Sequence, residues 1–199
     1  LSMPSSRLFS CLLIIVGLLP FSFNLSYATS LEDTIPNNII MYHRFGETKY
    51  PSTNITEEQL DSHLNFLIEQ NYRFIQASNF LDPSQLNEKT ITVTIDDAYL
   101  SFYEVGLPIF EKYQVPVTLF LNTENVGGFN YMSWDQLRDA LNRGVEIQNH
   151  SHTHSSFATL DDEAIINEIE TSQSLILANL NITPNLFAFP FGESSDAAQ

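Results

Sequence analysis

From residue 38 onward, short apolar runs rich in β-branched residues alternate with segments of helical periodicity, and this alternation constrains the fold more than any other feature. Strands are predicted near residues 38–43, 72–77, 90–95, 115–121, 145–148 and 186–190. Helices are predicted near residues 56–71, 78–86, 101–113, 134–143 and 159–180, with Thr56, Ser133 and Thr159 as caps. Repeated strand–helix units imply a mostly parallel sheet covered by helices, as an open α/β sheet or a barrel.

Three polar clusters follow three of the predicted strands. Asp96 and Asp97 follow the run that ends at Ile95, the segment His150–His154 follows a later strand, and the turn Pro190–Gly192 follows the last one. Functional groups collect at the carboxyl ends of parallel strands, so we expect the three clusters to lie at one edge of the sheet.

The acids and histidines have the composition of a metal site with three protein ligands. His150 and His154, four residues apart, together with one of the two aspartates would leave a coordination position open for water. The second carboxylate is then available as a base, a combination typical of metal-assisted hydrolases. Both carboxylates can face one cleft only if the chain turns there, because neighbouring side chains of a strand point to opposite faces. His152 is expected to point away from the metal.

Each cluster also has a simpler explanation. An aspartate that caps the next helix beside a solvated neighbour would account for the acidic pair, and a histidine-rich surface patch would account for the histidines. The turn around Phe191 fits an ordinary strand-to-loop connection, although its backbone N–H could donate to a developing oxyanion. The coincidence of all three clusters at strand ends favours function.

Three segments resemble, in order and spacing, the first three motifs of the polysaccharide deacetylases (carbohydrate esterase family four, the NodB-homology domain). They are Thr94–Asp97, His150–His154 and Phe189–Gly192. The segment Met41–Phe45 is similar to the start of the poly-N-acetylglucosamine deacetylase branch. The resemblance covers most of the chain after residue 28. It implies a distorted (β/α) barrel that removes acetyl groups from N-acetylated sugars.

The resemblance also implies a role for each site residue. Asp97, His150 and His154 hold a divalent metal, most often zinc; Asp96 takes a proton from the attacking water; and the Phe191 N–H donates to the oxyanion.

Two features depart from the family pattern. Ala188 stands where many members have an arginine that orients the catalytic aspartate, so the resemblance leaves open what orients Asp96. The family's later Leu-x-His motif, which supplies the general acid, has no counterpart before Gln199. We therefore expect a barrel incomplete at its C-terminal end and a general acid beyond residue 199, with His43 and His63 as the remaining candidates.

The first 28 residues have the pattern of a secretory signal peptide, with Arg7, an apolar run from Leu8 to Phe23 and a cleavage site after Ala28. This predicts export to the periplasm, cell envelope or medium, without stable membrane insertion after cleavage. An uncleaved anchor is the alternative. Residues 29–199 then form one partial deacetylase domain without cysteine, since the single cysteine is Cys11.

The charge excludes some partners. Asp and Glu number 24 against 8 Lys and Arg, a net charge of -16, which argues against nucleic acid and anionic lipid. An N-acetylated polysaccharide is compatible with this charge. The sequence thus predicts an exported, metal-dependent N-deacetylase of an N-acetylglucosamine polymer. The alternatives are a catalytically impaired glycan-binding remnant, a metal-dependent hydrolase of another acyl group, and a domain in which metal serves stability alone.

Overall fold

The computed structural model describes residues 38–196 and Ala198, and its centre is a sheet of five parallel strands. The strands of the chain are β1 (Ile39–Tyr42), β2 (Arg44–Phe45), β3 (Asn54–Ile55), β4 (Arg73–Ile75), β5 (Thr90–Asp96), β6 (Val117–Leu121) and β7 (Glu146–Asn149). The central sheet has the order β1-β5-β6-β7, and β4 pairs with the first residues of β5. Strands β2 and β3 form a separate parallel pair. The predicted α/β class is confirmed, while the predicted signal peptide lies outside the described residues.

Helices connect the strands and cover the sheet. They are α1 (Glu57–Glu69), α2 (Leu107–Lys112), α3 (Trp134–Asn142) and α4 (Asp162–Leu180), with short 3₁₀ helices at Ala77–Leu81, Pro83–Gln85 and Pro190–Gly192 and a π-helical turn at Phe102–Gly106. Across residues 38–196 and Ala198, none of the helices is both long and apolar enough to cross a membrane.

Side-chain caps fix where the helices begin. Thr56 forms the predicted capping box, and Ser133, predicted as a cap, forms a capping box as well. The predicted cap of α4 is wrong: Asp161 caps this helix by accepting from the backbone N–H of Ala164, and the Thr159 hydroxyl donates to a carbonyl of the preceding loop. Aspartate is the stronger N-cap and also complements the positive end of the helix dipole.

An aromatic cluster fixes the start of the chain against the sheet. Phe45, Phe102 and Phe110 are fully buried and their ring centroids lie 5.9 to 6.4 Å apart. The π-helical turn ends at Gly106, where an added Cβ would lie only 2.9 Å from the Phe45 ring. The absence of a side chain at Gly106 therefore lets the helix approach the β2 strand, which carries Arg44 towards the cleft described below.

Strand register brings the polar clusters to one edge of the sheet. Asp96 pairs with Phe120 of β6, and Leu121 pairs with Asn149 of β7, so β5, β6 and β7 end side by side. The predicted strand over residues 186–190 is reduced to a single bridge between Phe187 and Asn149, followed by the 3₁₀ turn.

Candidate active site

The acidic pair lies where β5 turns into a loop. The strand ends at Asp96, and the next two residues have left-handed backbones, with φ of +71° at Asp97 and +56° at Ala98. Such a conformation costs roughly 1–2 kcal/mol per non-glycine residue, so tertiary structure must hold it in place. The turn brings both carboxylates to one cleft, as the sequence required.

His150 follows β7 and is almost fully buried, at 2% exposure. Its Nδ1 lies 2.8 Å from the carbonyl oxygen of Ala188, which can only accept a hydrogen bond. The proton therefore sits on Nδ1, and the lone pair of Nε2 is free to bind a metal. Burial lowers the pKa of His150 to about 4, against the opposing effects of the Ala188 carbonyl and Asp97, so the ring is neutral at physiological pH.

The three predicted ligands converge. Asp97 Oδ1 lies 3.8 Å from His150 Nε2 and 3.2 Å from His154 Nε2. One donor atom from each residue falls within 4.8 Å of the others. The Asn122 amide, 2.9 Å away, donates to the same Asp97 oxygen and fixes its orientation. Two imidazole nitrogens and one carboxylate oxygen suit a divalent ion such as zinc, so these residues fit the implied metal.

Asp96 is the second carboxylate of the cleft. Only 6% of the residue is exposed, and among the described residues its Oδ1 has no hydrogen-bond partner. Burial, and then the charge of Asp97, raise its pKa to about 7. A buried carboxylate oxygen without a partner is costly, so this oxygen is poised to take up a proton or a ligand.

Phe191 lies across the cleft in the 3₁₀ turn Pro190–Gly192. It has a left-handed backbone, with φ of +60°, and its side chain is 68% exposed. Its ring meets that of His154 edge-on at a centroid distance of 4.6 Å. The structure thus places the turn against the histidine loop.

These residues line one cavity of about 750 Å³ at the carboxyl ends of the strands. It holds every site residue predicted from the sequence: Asp96, Asp97, His150, His154 and Phe191. His43 also lines it, and burial lowers the pKa of that imidazole. His63, the other spare histidine, is exposed on α1 and shares a 3.1 Å hydrogen bond with the Tyr42 hydroxyl. His152 does not join the ligands, and its Nδ1 pairs with the Thr123 hydroxyl at 2.9 Å.

One residue that holds the histidine loop escaped the sequence analysis. Glu168, on α4, is 7% exposed and accepts from the backbone N–H groups of His152 and Thr153 at 2.9 and 2.8 Å. It also accepts from the Thr153 hydroxyl at 2.7 Å. The loop includes left-handed backbones at Ser151 and His154, and the carboxylate helps to hold that strained shape. A polar residue within the apolar stripe of α4 was the available signal.

Comparison with known proteins places the fold among deacetylases. A family model described as polysaccharide deacetylase matches residues 84–199. The poly-beta-1,6-N-acetyl-D-glucosamine N-deacetylase of Staphylococcus aureus (strain N315) is 23% identical over 190 residues, which cover 86% of this chain and 65% of that protein. YxkH of Bacillus subtilis is 22% identical over 162 residues, which cover 79% of this chain and 57% of the relative. The chain therefore spans less than two thirds of the length of these relatives.

Two solved structures share the fold. The deacetylase PplD of Streptococcus pyogenes, determined in complex with acetate, aligns with a TM-score of 0.76 and 21% identity, over 83% of this chain and 78% of that chain. IcaB of Ammonifex degensii aligns with a TM-score of 0.75 and 20% identity, over the same shares of the two chains. At these identities the likeness concerns the fold alone.

Proposed function

Because this chain belongs to the polysaccharide deacetylase family, we propose that it removes N-acetyl groups from a polysaccharide containing N-acetylglucosamine and releases acetate. One observation carries the proposal. Two imidazoles and a carboxylate converge beside a second, buried carboxylate, one oxygen of which has no hydrogen-bond partner among the described residues. The name of the Staphylococcus aureus relative supports an N-acetylglucosamine polymer as the substrate. The apolar run within residues 1–28 supports export.

Asp97, His150 and His154 are the proposed metal ligands. A divalent ion bound there, with zinc as the best match to the donors, would supply a Lewis acid and lower the pKa of water. The Nδ1 hydrogen bond of His150 and the Asn122 amide on Asp97 keep the donor atoms oriented before anything binds.

The chain's own residues account for the proton transfers. Asp96 accepts a proton from water as the water oxygen attacks the acetamide carbonyl carbon. The backbone N–H of Phe191 donates to the negative charge that develops on the carbonyl oxygen. The carbon–nitrogen bond then breaks, the sugar nitrogen takes up a proton, and acetate leaves. His43 is our candidate donor among the described residues, because it lines the cleft whereas His63 lies outside it. Donation requires its protonated form, which burial disfavours.

The test is acetate release from N-acetylglucosamine oligomers, with zinc and with a chelator, by the wild type and Asp96→Asn. We expect zinc-dependent release that falls by roughly 100- to 10,000-fold in Asp96→Asn while zinc binding persists. Asp135→Asn is the matched control, since it makes the same change of charge at a side chain that is 93% exposed.

Each other outcome identifies a different function. Glycan and metal binding without acetate release would indicate a glycan-binding remnant. Faster release from O-acetylated substrates would indicate an esterase. Stabilisation by zinc without glycan affinity would indicate a structural metal site.

A further inference from the structure

A second cavity, of about 760 Å³, adjoins the cleft and shares four lining residues with it: Arg44, Tyr50, Tyr99 and Tyr131. These four side chains form a continuous stack. The Arg44 guanidinium lies 4.4 Å from the ring centroid of Tyr50 and 3.4 Å from that of Tyr99, and the Tyr99 and Tyr131 rings are 4.8 Å apart. Since the stack borders both spaces, it is the wall between them, and we call it the aromatic wall.

The charge of the aromatic wall is already neutralised. Arg44 Nη1 lies 3.1 Å from a carboxylate oxygen of Glu47, and the other oxygen of Glu47 accepts from the Ser101 hydroxyl at 2.8 Å. Stacking between two tyrosines further fixes the guanidinium. A cation that is paired and stacked in this way is a poor receptor for an anion. The other two charged residues of the lining, Lys49 and Glu104, are of opposite sign, so the lining has no net charge and suits a neutral ligand.

Phe129 lies at the outer end of this cavity and is 90% exposed. Its loop is held by backbone hydrogen bonds from Gly128 to Asn125 and from Tyr131 to Gly128. A further bond from Leu100 to the carbonyl of Asn130 ties the loop to the chain that follows β5. These bonds hold the backbone that carries the ring, which lowers the entropy cost of ordering the loop on binding, and they leave the apolar ring face accessible.

We propose that the second cavity is a sugar subsite, in which an uncharged sugar unit next to the reacting one stacks its C–H face on the Phe129 ring. The inference rests on the proposed function, because a polymer whose reacting sugar occupies the cleft must continue beyond it. The aromatic wall borders both spaces, so a chain can pass over it from one to the other. An aromatic ring beside polar groups is the usual lining of a site for such a neutral, hydroxyl-rich ligand.

The test combines binding and turnover for Phe129→Ala. Binding of N-acetylglucosamine and its oligomers of two to six units is measured by calorimetry in the Asp96→Asn background, and acetate release is measured in the Asp96 protein. We expect Phe129→Ala to weaken hexamer binding about tenfold, in line with the loss of one stacking contact of roughly 1–1.5 kcal/mol. The loss should be absent for the monomer and present for the longer oligomers, and kcat/KM for these oligomers should fall in parallel. Phe66→Ala, which removes another exposed phenyl ring on α1, is the control and should change neither quantity.

The outcomes separate this inference from the proposed function. Binding that depends on Phe129 without any acetate release keeps the subsite and overturns the deacetylase proposal. If Phe129→Ala changes neither acetate release nor hexamer affinity, the deacetylase proposal stands and the subsite proposal is overturned. A loss of equal size for the monomer and the hexamer, or a change of oligomeric state in place of a change in affinity, would also overturn it. Unfolding temperatures should match between the variants, because the ring is exposed.

Discussion

The floor and the rim of the cleft are built in different ways. The floor consists of Asp96, Asp97 and His150, which lie at strand ends and are each at most 6% exposed. The rim consists of loop residues such as Phe191, which is 68% exposed, and it continues into the second cavity, where Phe129 is 90% exposed. Strand register sets the floor, whereas local turns and single contacts set the rim.

His154 joins the two regions. Its Nε2 lies 3.2 Å from Asp97 on the floor, yet it lies on a loop with a left-handed backbone and its side chain is 22% exposed. The contrast teaches that a rigid sheet edge can supply the ligands, while the loops above it are free to vary for substrate recognition. Substitutions should therefore cost most at the floor and least at the rim.

The largest effect is expected for the metal ligands. We predict that His150→Ala lowers zinc affinity by more than about 100-fold, since even the outer partners of ligands contribute roughly 10- to 100-fold. His154→Ala should lower it less, because water can reach that position. His152→Ala, in the same loop, is the control and should keep its zinc. Zinc affinity is measured by competition with a chromophoric chelator. A loss of affinity in His154→Ala that equals or exceeds the loss in His150→Ala would contradict the distinction between floor and loop.

The next effect concerns the buried acid in the metal-free protein. The pKa of Asp96 is raised from 3.8 to about 7 in the folded state, so its contribution to stability is complete below pH 4 and is lost as the pH rises to about 7. Asparagine cannot ionise. The stability of Asp96→Asn relative to the wild type should therefore rise between pH 4 and 7, by up to about 4 kcal/mol, and then level off.

The measurement is urea unfolding at a series of pH values with a chelator present. The low pKa of His150 also makes stability depend on pH, but this contribution is common to both proteins and cancels in their difference. Asp135→Asn, at a side chain that is 93% exposed, is measured in the same way as the matched control. A flat difference for Asp96→Asn would show that the carboxylate is ionised in the folded protein.

A smaller effect is expected for Glu168, which links α4 to the histidine loop. Glu168→Ala leaves two half-buried backbone N–H groups without their acceptor, and we expect a loss of zinc affinity of roughly 10- to 100-fold. Glu168→Gln should lie between alanine and the wild type, because one amide oxygen can still accept. The exposed Glu170 of the same helix is the control. If Glu168→Ala lowers stability while zinc affinity stays at the wild-type value, Glu168 does not position the ligands.

The smallest effect is expected at the rim. Phe191→Gly removes the strain of a left-handed backbone from the folded state, but it also raises the conformational entropy of the unfolded chain. The two effects oppose each other and are of similar size, so the free energy of unfolding should change by less than about 1 kcal/mol. Phe66→Gly, at an exposed position inside α1, should cost about 1 kcal/mol or more. Urea unfolding gives the free energy of unfolding of both variants. An equal loss in both would mean that glycine destabilises the turn at Phe191 as much as the interior of a helix.

The sequence predicted the floor because strands carry a strong signal. The β-branched run before Asp96 and the strand before His150 located two neighbouring carboxyl ends, and parallel pairing then required their polar residues to meet. Asn122 follows β6 at the same edge and was missed, although its position after an apolar strand was the same kind of signal.

The loops were harder to predict for two physical reasons. Left-handed backbones at Ser151, His154 and Phe191 leave no mark in the sequence, because glycine and asparagine are the usual residues for that conformation. The aromatic wall joins Arg44 of β2 to tyrosines from separate loops that share no periodicity, so only the tertiary structure brings them together. The spare histidines show the same limit, since only the fold places His43 in the cleft and leaves His63 exposed on α1.

The most direct test of this account is a crystal structure of the zinc-loaded protein with data collected on both sides of the zinc absorption edge. We predict one anomalous peak about 2.0–2.2 Å from Asp97 Oδ1, His150 Nε2 and His154 Nε2, with the Asp96 carboxylate outside the coordination sphere. Zinc bound through Asp96, or a cleft that stays empty while zinc binds elsewhere, would contradict it.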